Sequence, residues 1–79
     1  MRKPILVPEL GLPNLVLSVW FVKPGERVFA GDRVVELLAG SATIDVTSEA
    51  AGTLEEFCAW PGDALEPQQV LGFVEMSTE

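Results

Sequence analysis

The chain has no histidine, no tyrosine, one cysteine and only five basic residues among 79. Without histidine, the usual neutral-pH general base and the commonest metal ligand are both missing. A single thiol and no imidazole cannot assemble a zinc site of the usual ligand set, so no metal ligand is assigned. A serine or cysteine nucleophile would lack its customary partner. The only lysines that could serve a Ser-Lys pair, Lys3 and Lys23, stand in no recognisable motif. No catalytic residue is assigned either, and the chain by itself is expected not to be an enzyme. Cys58 cannot form an internal disulfide; it fits a reducing compartment and is expected to be a small buried hydrophobe.

Positive charge is scarce as well. Five basic residues against twelve acidic ones give a formal net charge of −7. Phosphate backbones are bound by clustered Lys and Arg, so nucleic acid is excluded as a partner. An acidic surface keeps a small domain soluble and speeds encounter with basic protein partners. Long apolar runs are absent too. The longest, Val16 to Val22, contains Ser18 and is far too short to span a membrane. Pro4, Pro8 and Pro13 interrupt the apolar patch that follows Arg2 and Lys3 before a signal-peptide core forms. No membrane association and a cytoplasmic location are the expectations.

What is present reads as strand. Six prolines and seven glycines divide the chain into pieces too short for stable amphipathic helices. Those pieces are rich in Val, Leu, Ile, Phe and Trp. Strands are expected near Ile5–Val7, Leu15–Val22, Arg27–Phe29, Val34–Leu38, Ala42–Val46, Thr53–Phe57, Ala64–Glu66 and Val70–Glu75. Eight short strands with such frequent turn signals predict an all-β domain, 1–79 with its core at about 4–75, built from two packed antiparallel sheets.

The chain also resembles itself. A shift of 37 positions places Leu17 on Leu54, Trp20 on Phe57, Pro24-Gly25 on Pro61-Gly62, Val28 on Leu65, Val34 on Leu71 and Leu37 on Val74. Each copy is a strand, a Pro-Gly-acid turn, a short strand, another turn and a returning strand. Two equal halves predict a pseudo-two-fold arrangement in which each completes the other's sheets. The same shift relates Ser41 to Pro4 and Thr78, which puts the Gly40-Ser41 turn at one end of the domain and the two termini at the other. Trp20, Phe57 and Phe73 are expected in the core, whereas Trp60, beside a turn, and Asp45 and Glu49, flanking the central hairpin, are candidate contacts for a partner.

Several segments carry a family likeness: Pro8-Glu9-Leu10-Gly11, Trp20 through Val28, Gly31-Asp32-Arg33-Val34-Val35-Glu36, Ala50-Ala51-Gly52-Thr53-Leu54 and Pro61-Gly62-Asp63-Ala64-Leu65. Together, over residues 4–75, they resemble the lipoyl domains of 2-oxo-acid dehydrogenase acyltransferase components, which are related to the biotinyl carriers of carboxylases. The resemblance implies a flattened barrel of two four-stranded sheets with quasi-two-fold symmetry, and lipoate (or biotin) as the group the family carries. It also implies protein partners, dehydrogenase-complex or carboxylase subunits.

The likeness breaks at the attachment position. Lipoyl domains have an Asp-Lys-Ala turn there, the lysine amine forming the amide to the cofactor, and biotinyl domains have Met-Lys-Met. This chain aligns Gly40-Ser41-Ala42 without a gap between Leu37 and Gly52. Ser41 is therefore the residue at the family's cofactor position. Its short hydroxyl is a weak nucleophile whose ester would be labile, whereas lysine offers an amine on a long stem. No attached cofactor is expected. Gly40-Ser41 is also an ordinary hairpin pair, and it lacks the Asp-Ser-Leu motif of phosphopantetheine carriers. The expectation is a lipoyl-like domain that keeps its fold as a non-catalytic interaction or assembly module. The alternative is a genuine swinging-arm carrier domain with Ser41 as an unusual or engineered replacement. Transporter adaptors of the same superfamily carry a long helical insertion at the central turn, for which there is no room.

Overall fold

Branched apolar residues alternating with turn pairs produce strands throughout. A computed structural model describes residues 1–76. The strands are β1 (Arg2–Leu6), β2 (Leu15–Trp20), β3 (Arg27–Val28), β4 (Arg33–Ala39), β5 (Ala42–Thr47), β6 (Gly52–Phe57), β7 (Ala64–Leu65) and β8 (Val70–Met76). All eight expected strands are present, with ends shifted by a few residues. β1 lies earlier than expected because Val7 has left the ladder, its N–H donating to the Gln69 carbonyl (2.9 Å) and its carbonyl accepting from Gln68 N–H (2.9 Å). No helix among the described residues is long and apolar enough to cross a membrane.

The strands form two four-stranded antiparallel sheets, ordered β1-β8-β6-β3 and β5-β4-β2-β7. Each sheet takes strands from both halves of the chain, so neither half closes a sheet alone. The 37-residue shift holds in detail from β2 to β4 and from β6 to β8. The bulge between Leu17 and Val19 recurs between Leu54 and Glu56. Phe21 N–H donates to the Val34 carbonyl as Cys58 N–H donates to Leu71, both at 2.8 Å.

The shift fails for the outer strands. Thr43 pairs with Leu38 and Arg2 with Glu75, the counterpart of Leu38, so β1 maps onto β5 with four further residues of offset. Those four are the difference between the long link 7–14 and the short link 48–51. Pro4 is consequently the counterpart of Asp45 and not of Ser41, while Thr78 lies outside the described residues.

The core is the symmetric set Leu17 and Leu54, Val28 and Leu65, Val34 and Leu71, Leu37 and Val74, joined by Ile5, Val7, Leu15 and Val35, all buried. Trp20 stacks on its own counterpart Phe57 (centroids 4.0 Å, 15° between planes), which places the pseudo-two-fold axis between the rings. The Trp20 indole donates from Nε1 to the Ala59 carbonyl (3.0 Å). Both rings are partly buried against the core. Phe73 corrects the expectation. It sits opposite Pro4 and Glu56 in the register, and the Arg2 guanidinium lies over its ring at 4.1 Å. Cys58 is exposed, not buried; its counterpart Phe21 is exposed too, so the position faces solvent in both halves.

Side-chain oxygens lock the repeated turns. Lys23 N–H donates to Glu26 Oε1 (3.0 Å) and Trp60 N–H to Asp63 Oδ2 (2.9 Å); Gly25 and Gly62 in these turns have φ of +88° and +95°. In the second turn of each half, Phe29 N–H donates to Asp32 Oδ2 (2.8 Å) and Glu66 N–H to Gln69 Oε1 (2.9 Å). There Gly31 at φ +92° is matched by Gln68 at φ +66°. A left-handed backbone costs a side-chain-bearing residue about 1–2 kcal/mol, and glycine returns about 0.4–1 kcal/mol of that through unfolded-state entropy. Gln68→Gly is expected to stabilise the domain by about 0.5 kcal/mol, read as a higher urea midpoint at unchanged slope.

Candidate functional site

β4 and β5 form a hairpin with a two-residue tip, Ala39 pairing with Ala42 across Gly40-Ser41. Gly40 has φ +63° and Ser41 is not among the positive-φ residues. Glycine first and serine second, with only the first left-handed, is the pattern of a type II′ turn, whose twist matches the flanking strands. Leu37 is buried beneath the hairpin and Ile44 packs against the core beside it, so the ladder below the tip is anchored. Gly40, Ser41 and Ala42 are all exposed.

From the tip the chain runs down β5 and through 48–51 to Gly52, which pairs with Met76, itself bonded through N–H to the Met1 carbonyl. The tip and the terminal strand ends thus occupy opposite ends of a molecule 40 Å long. Beside the tip, Leu15 of β2 pairs with Ala39, and the link that precedes β2 exposes Leu10 and Leu12.

Neither lysine is at the tip. Lys3 pairs with Val74 in the ladder, and its Nζ lies 3.4 Å from Glu49 Oε1. Lys23 opens the first Pro-Gly turn. No group of three His, Cys, Asp or Glu side chains that could hold a metal ion occurs among the described residues. The candidate contacts are dispersed. Asp45, on β5, is engaged by Arg33 (Nη1 to Oδ2, 3.1 Å). Glu49 is engaged by Lys3. Trp60 is 55% exposed with its ring 5.6 Å from Phe57, far from the tip in sequence and on a different turn.

Two features were not foreseen in the sequence. Arg2 reaches across its sheet to Glu55 (Nε to Oε1, 3.2 Å) and hydrogen-bonds Glu56 while covering Phe73. The Glu56 hydrogen bond, with the charges of Glu56, Glu55 and Glu75, raises the guanidinium above its already high ordinary value, so this cluster keeps its positive centre at any pH the fold survives. The second feature is a cleft between β1 and β5, lined by 3–9, 45–49, Gln68 and Val74, with a volume of about 480 Å³. Arg2 and the Glu55-Glu56 pair are visible in the sequence, but their meeting depends on the β1-β8-β6 order.

The family model described as "Biotin-requiring enzyme" (Biotin_lipoyl) matches residues 3–74. The chain belongs to the biotinyl/lipoyl domain family. This biotinyl/lipoyl domain is 39% identical over 77 residues to the dihydrolipoyllysine-residue succinyltransferase component of the 2-oxoglutarate dehydrogenase complex of Bartonella vinsonii subsp. berkhoffii, covering 95% of this chain and 19% of that protein. It is 33% identical over 75 residues to the component of the same description from Staphylococcus saprophyticus, covering 86% and 18%. The domain therefore spans about a fifth of the length of these curated relatives. Its fold matches the solution structure of the lipoyl domain of the 2-oxoglutarate dehydrogenase complex from Azotobacter vinelandii, with a TM-score of 0.71 at 24% identity over 92% of this chain and 99% of that one.

Proposed function

We propose that this domain is a lipoyl-type carrier fold without an attachment arm, acting as a non-catalytic interaction or assembly module of a 2-oxo-acid dehydrogenase complex. The observation that carries the reading is the hairpin tip. Gly40-Ser41 is the exposed tip of the β4-β5 hairpin, the turn at which the family resemblance puts the attachment lysine, and the chain's two lysines lie elsewhere, Lys3 in an ion pair and Lys23 at another turn. Lipoate or biotin attached through a stable amide does not fit a serine hydroxyl. Dehydrogenase-complex subunits are the partners proposed, because both relatives above are named as succinyltransferase components of such a complex. Those same names favour a second reading, a working carrier domain in which Ser41 replaces the lysine.

Intact mass after co-expression with lipoate and biotin ligases, in medium supplying both acids, separates the two. The native chain is expected to keep its unmodified mass. Ser41→Lys, on an exposed tip that tolerates it, is expected to gain the lipoyl increment, showing that the fold still presents that position to a ligase. An increment on the native chain would overturn the proposal.

A further inference from the structure

β1 and β5 are both outer strands, each paired on one side only. Their facing edges enclose the 480 Å³ cleft, a volume suited to a short segment rather than a folded partner. Residues 4–8 and 45–49, which form its walls, are structural counterparts, so the cleft opens on the pseudo-two-fold axis. Its accessible apolar lining is Pro4, Leu6, Pro8 and Val46, with the buried Ile5, Val7 and Val74 behind them.

The two walls differ in chemistry despite that symmetry. β1 is a blunted edge, carrying Lys3 and Pro4, devices that discourage a further strand. Pro4 stands opposite Phe73, and Asp45 stands in the same register opposite Glu36. A proline fits that position because its absent N–H faces away from the neighbouring strand. In β5 the equivalent N–H belongs to Asp45 and likewise points away from β4, towards the free edge. β5 has no proline and no lysine, so its free edge can accept a strand. The charges favour one kind of strand. Glu9, Asp45 and Glu49 line the cleft, on a chain of net charge −7. Lys3 holds Glu49 and Arg33 holds Asp45, but both ion pairs are solvent-accessible and worth little, so an incoming lysine or arginine can exchange with them.

We propose that this cleft binds an extended basic segment of a partner protein, added as a fifth strand on the free edge of β5. Its apolar side chains rest on Val46 and Leu6, and its lysine or arginine side chains meet Asp45 and Glu49. The site is separate from the hairpin tip, and its occupation does not depend on whether Ser41 carries a group.

The test is an amide NMR titration of the full chain with a short capped peptide alternating lysine and valine. Saturable shifts confined to 3–9 and 43–49 are expected. Glu49→Lys should weaken binding about tenfold, through like-charge contact with the peptide. Asp45→Pro, which copies the proline already accepted at the counterpart position, should abolish binding, whereas Asp45→Asn should retain part of it. A peptide N-methylated at alternate residues tests the same backbone pairing without altering the protein, and it should fail to bind.

Four results would overturn the proposal. One is unsaturable shifts spread over the acidic turns at Glu26, Asp32 and Asp63. Another is equal binding of a glutamate-valine peptide. A third is unchanged affinity of the N-methylated peptide. The last is concentration-dependent shifts of β5 without peptide, which would assign the edge to a second copy of the chain.

Discussion

Replacing Gly52 with alanine should destabilise the domain by about 3 kcal/mol, the upper end of the cost of overpacking, and lower its melting temperature by about 15 °C. Gly52 opens β6, between Val28 of β3 and Met76 of β8. A Cβ there would overlap the Glu75 carbonyl oxygen and lie 2.8 Å from its carbon and 3.0 Å from Met76 Cα. All three are backbone atoms of a paired strand, so nothing can rotate away. Gly62→Ala is the control. It has φ +95° but nothing within 4 Å, so it carries only the left-handed penalty of about 1–2 kcal/mol. Urea denaturation of the two variants distinguishes steric overlap from backbone strain. Equal midpoints would show that β6 and β8 do not approach as closely as described.

Leu54→Ala is expected to cost about 2–5 kcal/mol, the range for emptying a buried leucine site. A domain of this length has roughly 4–12 kcal/mol of total stability, so the variant loses a large share of it and should melt at least about 10 °C lower. Leu54 is fully buried, and its counterpart Leu17 is 1% exposed. Each follows the same register and immediately precedes the same bulge. Leu17→Ala should therefore cost the same as Leu54→Ala to within about 1 kcal/mol. Thermal melts followed by circular dichroism measure both. A large inequality would mean that the two halves contribute unequally to one core, contrary to the symmetric packing.

The strands were readable because their cues are local. Pro24-Gly25-Glu26 and Pro61-Gly62-Asp63 announce turns of known geometry, and the branched apolar runs between them have no competing helical period. The misplacements arose where parity or link length mattered. Phe73 was expected in the core by its size, yet the register sets it beside Pro4 and Glu56, beneath Arg2. Cys58 was expected to be buried by its type, yet it shares the solvent-facing position of Phe21. A constant shift relates Pro4 to Ser41, but the link between β1 and β2 is four residues longer than that between β5 and β6, so Pro4 falls on Asp45 instead.

By itself, the sequence determined that the chain folds into strands, that its two halves repeat, and that Gly40-Ser41 brings no amine to the central turn. Each of these rests on neighbouring residues or on a count. The tertiary structure alone decided the pairing of β1 with β8, the Arg2 contact with Glu56 across 54 positions, the glycine requirement at position 52 and the acidic cleft between β1 and β5. These depend on which strands become neighbours and in what register. That choice is made by closing one core from both halves at once, and no local pattern encodes it.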